Sequence, residues 1–429
     1  MKRRQFFGAL GILASGSFIA KPDFAAAKVP SVEEALASAL DDETFWKIVR
    51  QQFVFPKDFI YLNTGGIGAV PSLVLHEVSR STDEQQLSPK PGHDEMNWNN
   101  VKITTTHLLS PNCKKEELAL ISTATEGINI ILNGLPLQKK DEIITSTHEH
   151  AALHIPLLNK MQRQGIVLKP FAPDLKNGLG NVDRIAKLIT KRTKLIFLSH
   201  VTCTTGQIFP LIEIGNLARA KGIWFAVDGA QAVGSMPMDI TKAQVDFYTF
   251  SGHKWTLGPK RTGVLYVRQN LLEVLRPTTV GAYSDDGYDI LKNELKLHPT
   301  AQRYEYATQN EALFYGYEKA VNFVKTIGLE KIRQHNRTLA EKFYAGLLSI
   351  PGVEILSPQE EKYRSSIISF KMKDKNYQDI GSYLSDKKKI RVRVVSEAQV
   401  NGVRVSFHVY NDEENVERIL TELNNFLKQ

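Results

Sequence analysis

Cysteine is scarce. The chain of 429 residues has two, Cys113 and Cys203, too few for a metal cluster or a disulfide-stapled scaffold. Only one pairing between them is open in an oxidising compartment, and the sequence does not place them within reach of each other. Nucleotide signatures are absent: neither G-x-x-x-x-G-K-[ST] nor G-x-G-x-x-G occurs. No internal repeat or low-complexity stretch breaks the chain. An excess of one charge is missing too. The formal charge is +8, and residues 1–27 account for +3 of it through Lys2, Arg3, Arg4, Lys21 and Asp23, leaving +5. That balance gives no case for nucleic acid. The one dense basic run, Lys387-Lys388-Lys389, is bounded by Asp386 and Ile390 and reads as a solvated helix end.

What is present is ordinary for a soluble globular protein: 42% hydrophobic and 23% charged residues, on a chain long enough for two domains. The first residues stand apart. Residues 1–27 have a basic start, an apolar run from Phe6 to Ala20 and a small-residue end at Ala25-Ala26-Ala27. This reads as a secretory signal, too short and poorly flanked for a stable membrane association. Arg3-Arg4-Gln5-Phe6-Phe7 resembles a twin-arginine signal. An ordinary export signal with two arginines is the alternative. Either places the mature chain in the periplasm. The first requires the twin-arginine export machinery, a route that carries folded proteins.

Residues 28–58 read as an N-terminal helical segment that joins a small domain in space. From residue 59 to about 300, short apolar runs alternate with amphipathic segments: 118–122, 141–146, 166–171, 194–201, 223–228, 246–251 and 263–267. Strands interleaved with helices predict an α/β domain with a mostly parallel sheet covered on both faces. From 301 to 429 the pattern changes to two long helices (310–326 and 329–348), strand-like runs and a final amphipathic helix. That is a smaller α+β domain.

The chemistry-bearing residues stand at the C-terminal ends of the predicted strands, where such sheets bind ligands. Thr123-Ala124-Thr125-Glu126-Gly127 opens a helix, and a helix start with free N–H groups holds phosphate. His148-Glu149-His150 follows the next strand. Asp228 ends another, with Gln231 three residues on. Ser251 ends a third, followed by His253 and Lys254. Each alone has a bland reading as cap or turn. Together they suit pyridoxal phosphate, which needs a lysine for a Schiff base, a carboxylate on its ring nitrogen and a phosphate cup.

TATEGIN, AVDGAQAVG, SGHKWTLGP and RVSFHVYN resemble the class V aminotransferases, fold-type I pyridoxal-phosphate enzymes that include cysteine desulfurases and isopenicillin N epimerase. The likeness runs from about Tyr61 to the C-terminus. It implies that Lys254 forms the Schiff base and acts as base at Cα. It implies that Asp228 partners the ring nitrogen, Gln231 the ring oxygen, and that His150 stacks on the ring. Thr125, beside Ala124, would bind phosphate with Ser251 and His253. Thr308 would reach the phosphate of a neighbouring subunit, giving a homodimer with shared sites. Arg404 would hold the carboxylate of an amino-acid substrate.

Two positions depart from the family. Cys203 replaces an asparagine near the ring oxygen, and Arg261 replaces a glycine in the turn after Lys254. A desulfurase needs a mobile cysteine in the loop before the carboxylate-binding arginine, and KIRVRVVSEAQVNGVRVSF has none, which makes that activity an unfavoured reading. The resemblance points instead to the isopenicillin N epimerase-like branch, with transaminase or lyase chemistry as alternatives. A non-catalytic protein binding the cofactor or an amino acid is the reading from another class.

Overall fold

The computed structural model describes residues 31–428 apart from residue 91, so the proposed export signal lies outside the described residues. A seven-stranded sheet forms the centre. Its spatial order is Leu118–Ile121, Gly263–Val267, Phe247–Ser251, Trp224–Asp228, Thr193–Ser199, Glu142–Ser146 and Val167–Phe171. All neighbours pair in parallel except at Gly263–Val267, which runs antiparallel to both of its partners.

The apolar runs explain this sheet. Alternate residues of each strand enter two different cores. Leu118, Ile144, Ile196, Leu198, Phe225, Val227, Tyr248 and Phe250 pack on one face. Ala119, Ile143, Leu195, Phe197, Ala226 and Phe247 pack on the other. Strands covered on both faces read as continuous hydrophobic runs. Each large apolar side chain so buried contributes about 1.5–3 kcal/mol. Of the two edge strands, Val167–Phe171 keeps exposed positions while Leu118–Ile121 is buried.

The smaller unit holds a four-stranded antiparallel sheet in the order Val353–Ile355, Ile367–Met372, Gly402–Ser406, Arg393–Val395. Its core includes Ile60, Leu62, Phe343, Phe370, Val403 and Leu423. Ile60–Tyr61 pairs in parallel with Ile390–Arg391, which draws the chain at residue 60 into this unit. Past residue 300, helix Glu311–Ile327 sends Phe314, Tyr317, Phe323 and Val324 into the large core. The change falls inside helix Leu329–Leu348, with Ile332 in the large core and Leu339, Phe343 and Leu347 in the small one.

The N-terminal segment is two helices, Val32–Ala37 and Asp42–Arg50, capped by Ser31 and Asp41, where the sequence suggested one. It touches both units. Val49 and Phe53 lie in the large core, while Trp46 stacks on His335 at 3.8 Å and Asp42 pairs with Lys331 at 2.5 Å. A hairpin, Asp285–Asp289 with Glu294–Leu297, had no counterpart in the sequence reading.

Candidate active site

Lys254 sits on the turn that leaves strand Phe247–Ser251, and the turn is clamped on several sides. Gly252 N–H donates to Thr262 O at 2.8 Å, while Gly252 O accepts from Gly258 N at 2.7 Å and Thr256 Oγ1 at 2.6 Å. The carbonyl of His253 accepts from Gly68 N at 2.8 Å. Trp255, 1% exposed, donates its indole N–H to Gln231 Oε1 at 2.8 Å, and its carbonyl lies 3.0 Å from His408 Nε2. Arg261 has φ +67°, so the position where the family carries glycine does use the left-handed region, and Leu257 shares it at φ +62°. The arginine adopts the geometry that glycine takes freely.

Lys254 is partly buried and keeps some of its surface accessible. Burial lowers its pKa, the Asp228 carboxylate opposes that, and Arg404 and Arg393 add to the lowering. A desolvated amine is the more readily neutral and nucleophilic. Asp228 ends the next strand, 5% exposed, with Oδ1 accepting from Ala230 N at 2.9 Å. Burial raises its pKa and Lys254 pulls it back.

Beside them helix Ala124–Gly134 begins. Thr123 caps it through Glu126 N, and Ser251 Oγ accepts from Ala124 N at 2.8 Å. Gly127 permits the close seat of this helix, since a Cβ there would lie 2.1 Å from Thr249 Oγ1. Thr125 is exposed in the first turn, where N–H groups and the helix dipole favour an anion. His253 Nδ1 is buried without a partner. Burial pushes this imidazole down to about 4, with Lys254 adding to the shift, so it is neutral at pH 7.

His150 is both a helix cap and a member of the cluster. Its Nδ1 accepts from Ala152 N at 3.1 Å at the start of helix Ala151–Gln164. That bond fixes the ring and leaves the proton on Nε2. Burial, then the charge of Lys254, push its pKa down to about 4. Glu149 turns the other way, fully buried, with Oε1 accepting from Ser146 Oγ at 2.5 Å and Oε2 from Ser199 N at 2.8 Å.

Arg404 lies on strand Gly402–Ser406 of the smaller sheet with no exposed surface. Its Nη1 donates to Cys203 O at 2.8 Å and its Nη2 to Asn63 Oδ1 at 2.9 Å. Its Nε and the nearby Ser406 Oγ are buried without partners. Burial presses the guanidinium down to about 10, which leaves it charged at neutral pH. Cys203 is 2% exposed, and burial raises its thiol pKa despite the cations around it. Cys113 lies in the large core, and both thiols are free.

The sequence-derived residues thus converge, with two adjustments. Gln231 is not free for a ring oxygen at both ends: Oε1 takes Trp255 and Nε2 donates to Gly65 O at 2.8 Å, leaving one N–H. Thr308 is not in the cluster. It is exposed, 3.4 Å from Tyr283 OH, and lines a separate surface cleft of about 780 Å³ with Arg80, Gly92 and Tyr315. That cleft also gathers Lys319, Glu77 and Arg80, but these cations have exposed side chains already held in surface ion pairs with Glu33, Glu77 and Glu84. Asp228 and Arg404 beside Lys254 are buried, so the chemistry stays at Lys254. The sequence reading missed Asn63, Gly65 and Gly68, whose signal was the turn-rich run Asn63-Thr64-Gly65-Gly66-Ile67-Gly68. It also missed Arg393, which stands directly opposite Arg404 in strand register.

A lysine at the strand edge of an α/β sheet, between a buried aspartate and a buried arginine, is the arrangement of an enzyme that works on amino-group and carbonyl chemistry. The class-V aminotransferase family matches residues 107–419, and the chain belongs to that family. It is 31% identical to a probable cysteine desulfurase of Pyrococcus abyssi over 74% of this chain and 80% of that protein. Among solved structures it resembles C-DES. One structure carries glycine covalently linked to the PLP cofactor (TM-score 0.80, 26% identity, covering 88% of this chain and 99% of that one). In another, described as a cystine C–S lyase, C-DES is in complex with its product cysteine persulfide (TM-score 0.79, 26% identity, 86% and 98% covered).

Proposed function

We propose that this chain is a pyridoxal-phosphate-dependent enzyme acting at Cα of an amino acid. The observation that carries this is the placement of Lys254 between Asp228, His150 and Arg404 in one cleft. The residues fit the group. A buried carboxylate suits the ring nitrogen, His150 offers a fixed ring face, and the helix start at Ala124 and Thr125 with Ser251 and the unpartnered His253 suits the phosphate. When bound, the cofactor supplies an electron sink for negative charge at Cα.

The chain's own residues do the rest. Arg404, held by Asn63 and the Cys203 carbonyl, orients the substrate carboxylate with its planar guanidinium. Lys254, kept readily neutral by burial, takes the proton from Cα and can return it. Asp228 is placed to hold the ring nitrogen of the bound cofactor and would favour positive charge there. Partly buried His150 and buried Trp255 keep water from the reacting atoms. Cys203 stands where a ring contact by asparagine is lost, and its protonated thiol packs against the site.

Sulfur transfer to an enzyme thiol is not the reading favoured here. The loop 396–401 has no cysteine, and both thiols of the chain are buried. Three outcomes of Cα proton removal remain: epimerisation, as in the isopenicillin N epimerase-like branch, transamination, and loss of a β-substituent, which the likeness to a C–S lyase favours. Thr308, remote from Lys254 in one chain, supports a homodimer in which it serves the neighbour's site. Export to the periplasm by the twin-arginine route belongs to the same proposal and rests on Arg3-Arg4-Gln5-Phe6-Phe7.

The test is the absorption spectrum of the purified protein with pyridoxal phosphate, before and after borohydride, beside Lys254→Ala. The expected result is a near-visible band that borohydride removes and that a folded Lys254→Ala variant lacks. A band indifferent to borohydride, or unchanged in the variant, would sink the lysine assignment. Incubation with amino acids in deuterated water then separates the outcomes: deuterium with lost chirality marks epimerisation, a 2-oxo acid without free ammonia marks transamination, and pyruvate with ammonia marks elimination.

A further inference from the structure

Arg393 and Arg404 face each other directly across two antiparallel strands. Side chains at opposed positions project from the same face of the sheet, and like charges there destabilise the pair. The chain accepts that repulsion beside its reactive lysine. Set opposite Arg404 by register, Arg393 is also near enough for its charge to act on Lys254 and His150. It differs from Arg404 in being reachable, with 25% of its side chain exposed against none for Arg404.

One group offsets the second positive charge. Arg393 Nη2 pairs with Glu397 Oε1, and Glu397 is 27% exposed. Glu397 starts a short turn, Glu397–Gln399, in which Ala398 (φ +53°) and Gln399 (φ +57°) are left-handed without being glycine, as is Asn401 (φ +46°) just beyond. Such conformations persist only where surrounding contacts hold them. A partly exposed ion pair at the end of a strained turn is a weak holder. The strained loop and its carboxylate can therefore yield to a competing anion.

We propose that Arg393 is a second carboxylate-binding residue, with Glu397 as its displaceable counter-ion, so that the cleft selects an amino acid whose side chain ends in a carboxylate. Arg404 holds the α-carboxylate and Arg393 the distal one. The distal carboxylate replaces Glu397 and cancels the charge that the cross-strand pair leaves exposed. This rests on the reading of the Lys254 cleft as an amino-acid site.

The test uses acids that cannot react. Glutarate and butyrate are titrated calorimetrically into the full-length protein loaded with pyridoxal phosphate. A charge-assisted contact predicts glutarate tighter than butyrate by about tenfold or more. Arg393→Met should remove that preference while leaving butyrate within about twofold, and Glu397→Gln should tighten glutarate severalfold. Arg393→Lys, which keeps the charge without the fork, should retain part of the preference and guards against a folding defect. Equal affinities in the wild type would overturn the proposal. So would an Arg393→Met variant that loses both acids equally, since Arg393 would then share the α-carboxylate. A glutarate preference without any borohydride-sensitive band would leave Arg393 in place and sink the cofactor reading instead.

Discussion

Gly68 touches the backbone of Lys254: its N–H donates to His253 O at 2.8 Å, and a Cβ on it would lie 1.9 Å from Lys254 O. The loop from Asn63 to Gly68 is thus seated on the lysine turn, and the smaller unit reaches the large sheet through it. Gly68→Ala forces backbone apart where no flexible side chain can yield. The expected outcome is a loss of about 1–3 kcal/mol of stability, together with a weakened borohydride-sensitive band. Thermal unfolding and the spectrum check it. An unchanged melting temperature and band would mean the loop moves freely over the turn.

Asn63 makes a second link from that loop, donating no proton but accepting one from Arg404 Nη2 at 2.9 Å. Removing it leaves a buried guanidinium with a lost partner beside the already unpartnered Nε. A hydrogen bond to a charged group is worth about 1.5–3 kcal/mol. Asn63→Ala should therefore raise KM for an amino acid by about tenfold or more, with a smaller effect on kcat. Steady-state kinetics decide it. A fall in kcat at constant KM would place Arg404 in the chemical step instead of in substrate binding.

The pH dependence of stability follows from buried histidines. His148, His150, His200, His253 and His335 are all pushed down to about 4, and His408 to about 3, with burial the largest cause in each. Below about 6.5 the unfolded chain binds protons that the native protein refuses, so these groups cost stability as pH falls from 6.5 toward 4. Glu149, raised to about 7, and Asp246, raised to about 6, act in the opposite sense, since unfolding lets them ionise as pH rises. His93 and His298 are also lowered by burial, and Asp228 and Glu318 also raised, so among the described residues eight imidazoles stand against four carboxyls and outweigh them. The melting temperature should climb from pH 4.5 to 6.5 and level off near pH 7. A melting temperature that is flat or falls over that interval would show that the histidines are hydrated.

Much of this was legible in the sequence for one physical reason. A doubly covered parallel strand must be an unbroken apolar run, and ligand-binding residues follow where the run stops. Asp228, Ser251 and Lys254 were found that way. Residues whose role comes from the fold were hidden. Gln231 stands at the expected place, yet Trp255 and Gly65 claim its amide, which no local pattern shows. Arg393 looked like one basic residue in an alternating strand until register set it opposite Arg404. The hairpin Asp285–Asp289 with Glu294–Leu297 escaped because it has no buried face to impose alternation: Tyr288, Leu291 and Leu295 are 75%, 91% and 58% exposed.

A last prediction concerns what holds the large unit behind the site. Lys102 Nζ and Glu305 Oε1 pair at 2.7 Å with side chains 4% and 1% exposed. Glu305 also accepts from Trp98 Nε1 at 2.8 Å and from Leu120 N at 2.8 Å, tying helix Glu95–Leu109 and the edge of the central sheet to the segment that leads to Thr308. Removing one member of such a pair leaves a buried charge, which costs about 3–5 kcal/mol. Lys102→Met keeps the stem's volume and removes only the charge, so it should lower stability by about 3 kcal/mol, toward the low end because two N–H donors remain. Replacing both members, Lys102→Met with Glu305→Gln, should recover part of the loss, since the amide keeps an acceptor for Trp98 or Leu120 without a charge to bury. Denaturant unfolding of the two variants settles it: a double variant no more stable than Lys102→Met would show that the loss lies in packing and not in the stranded carboxylate.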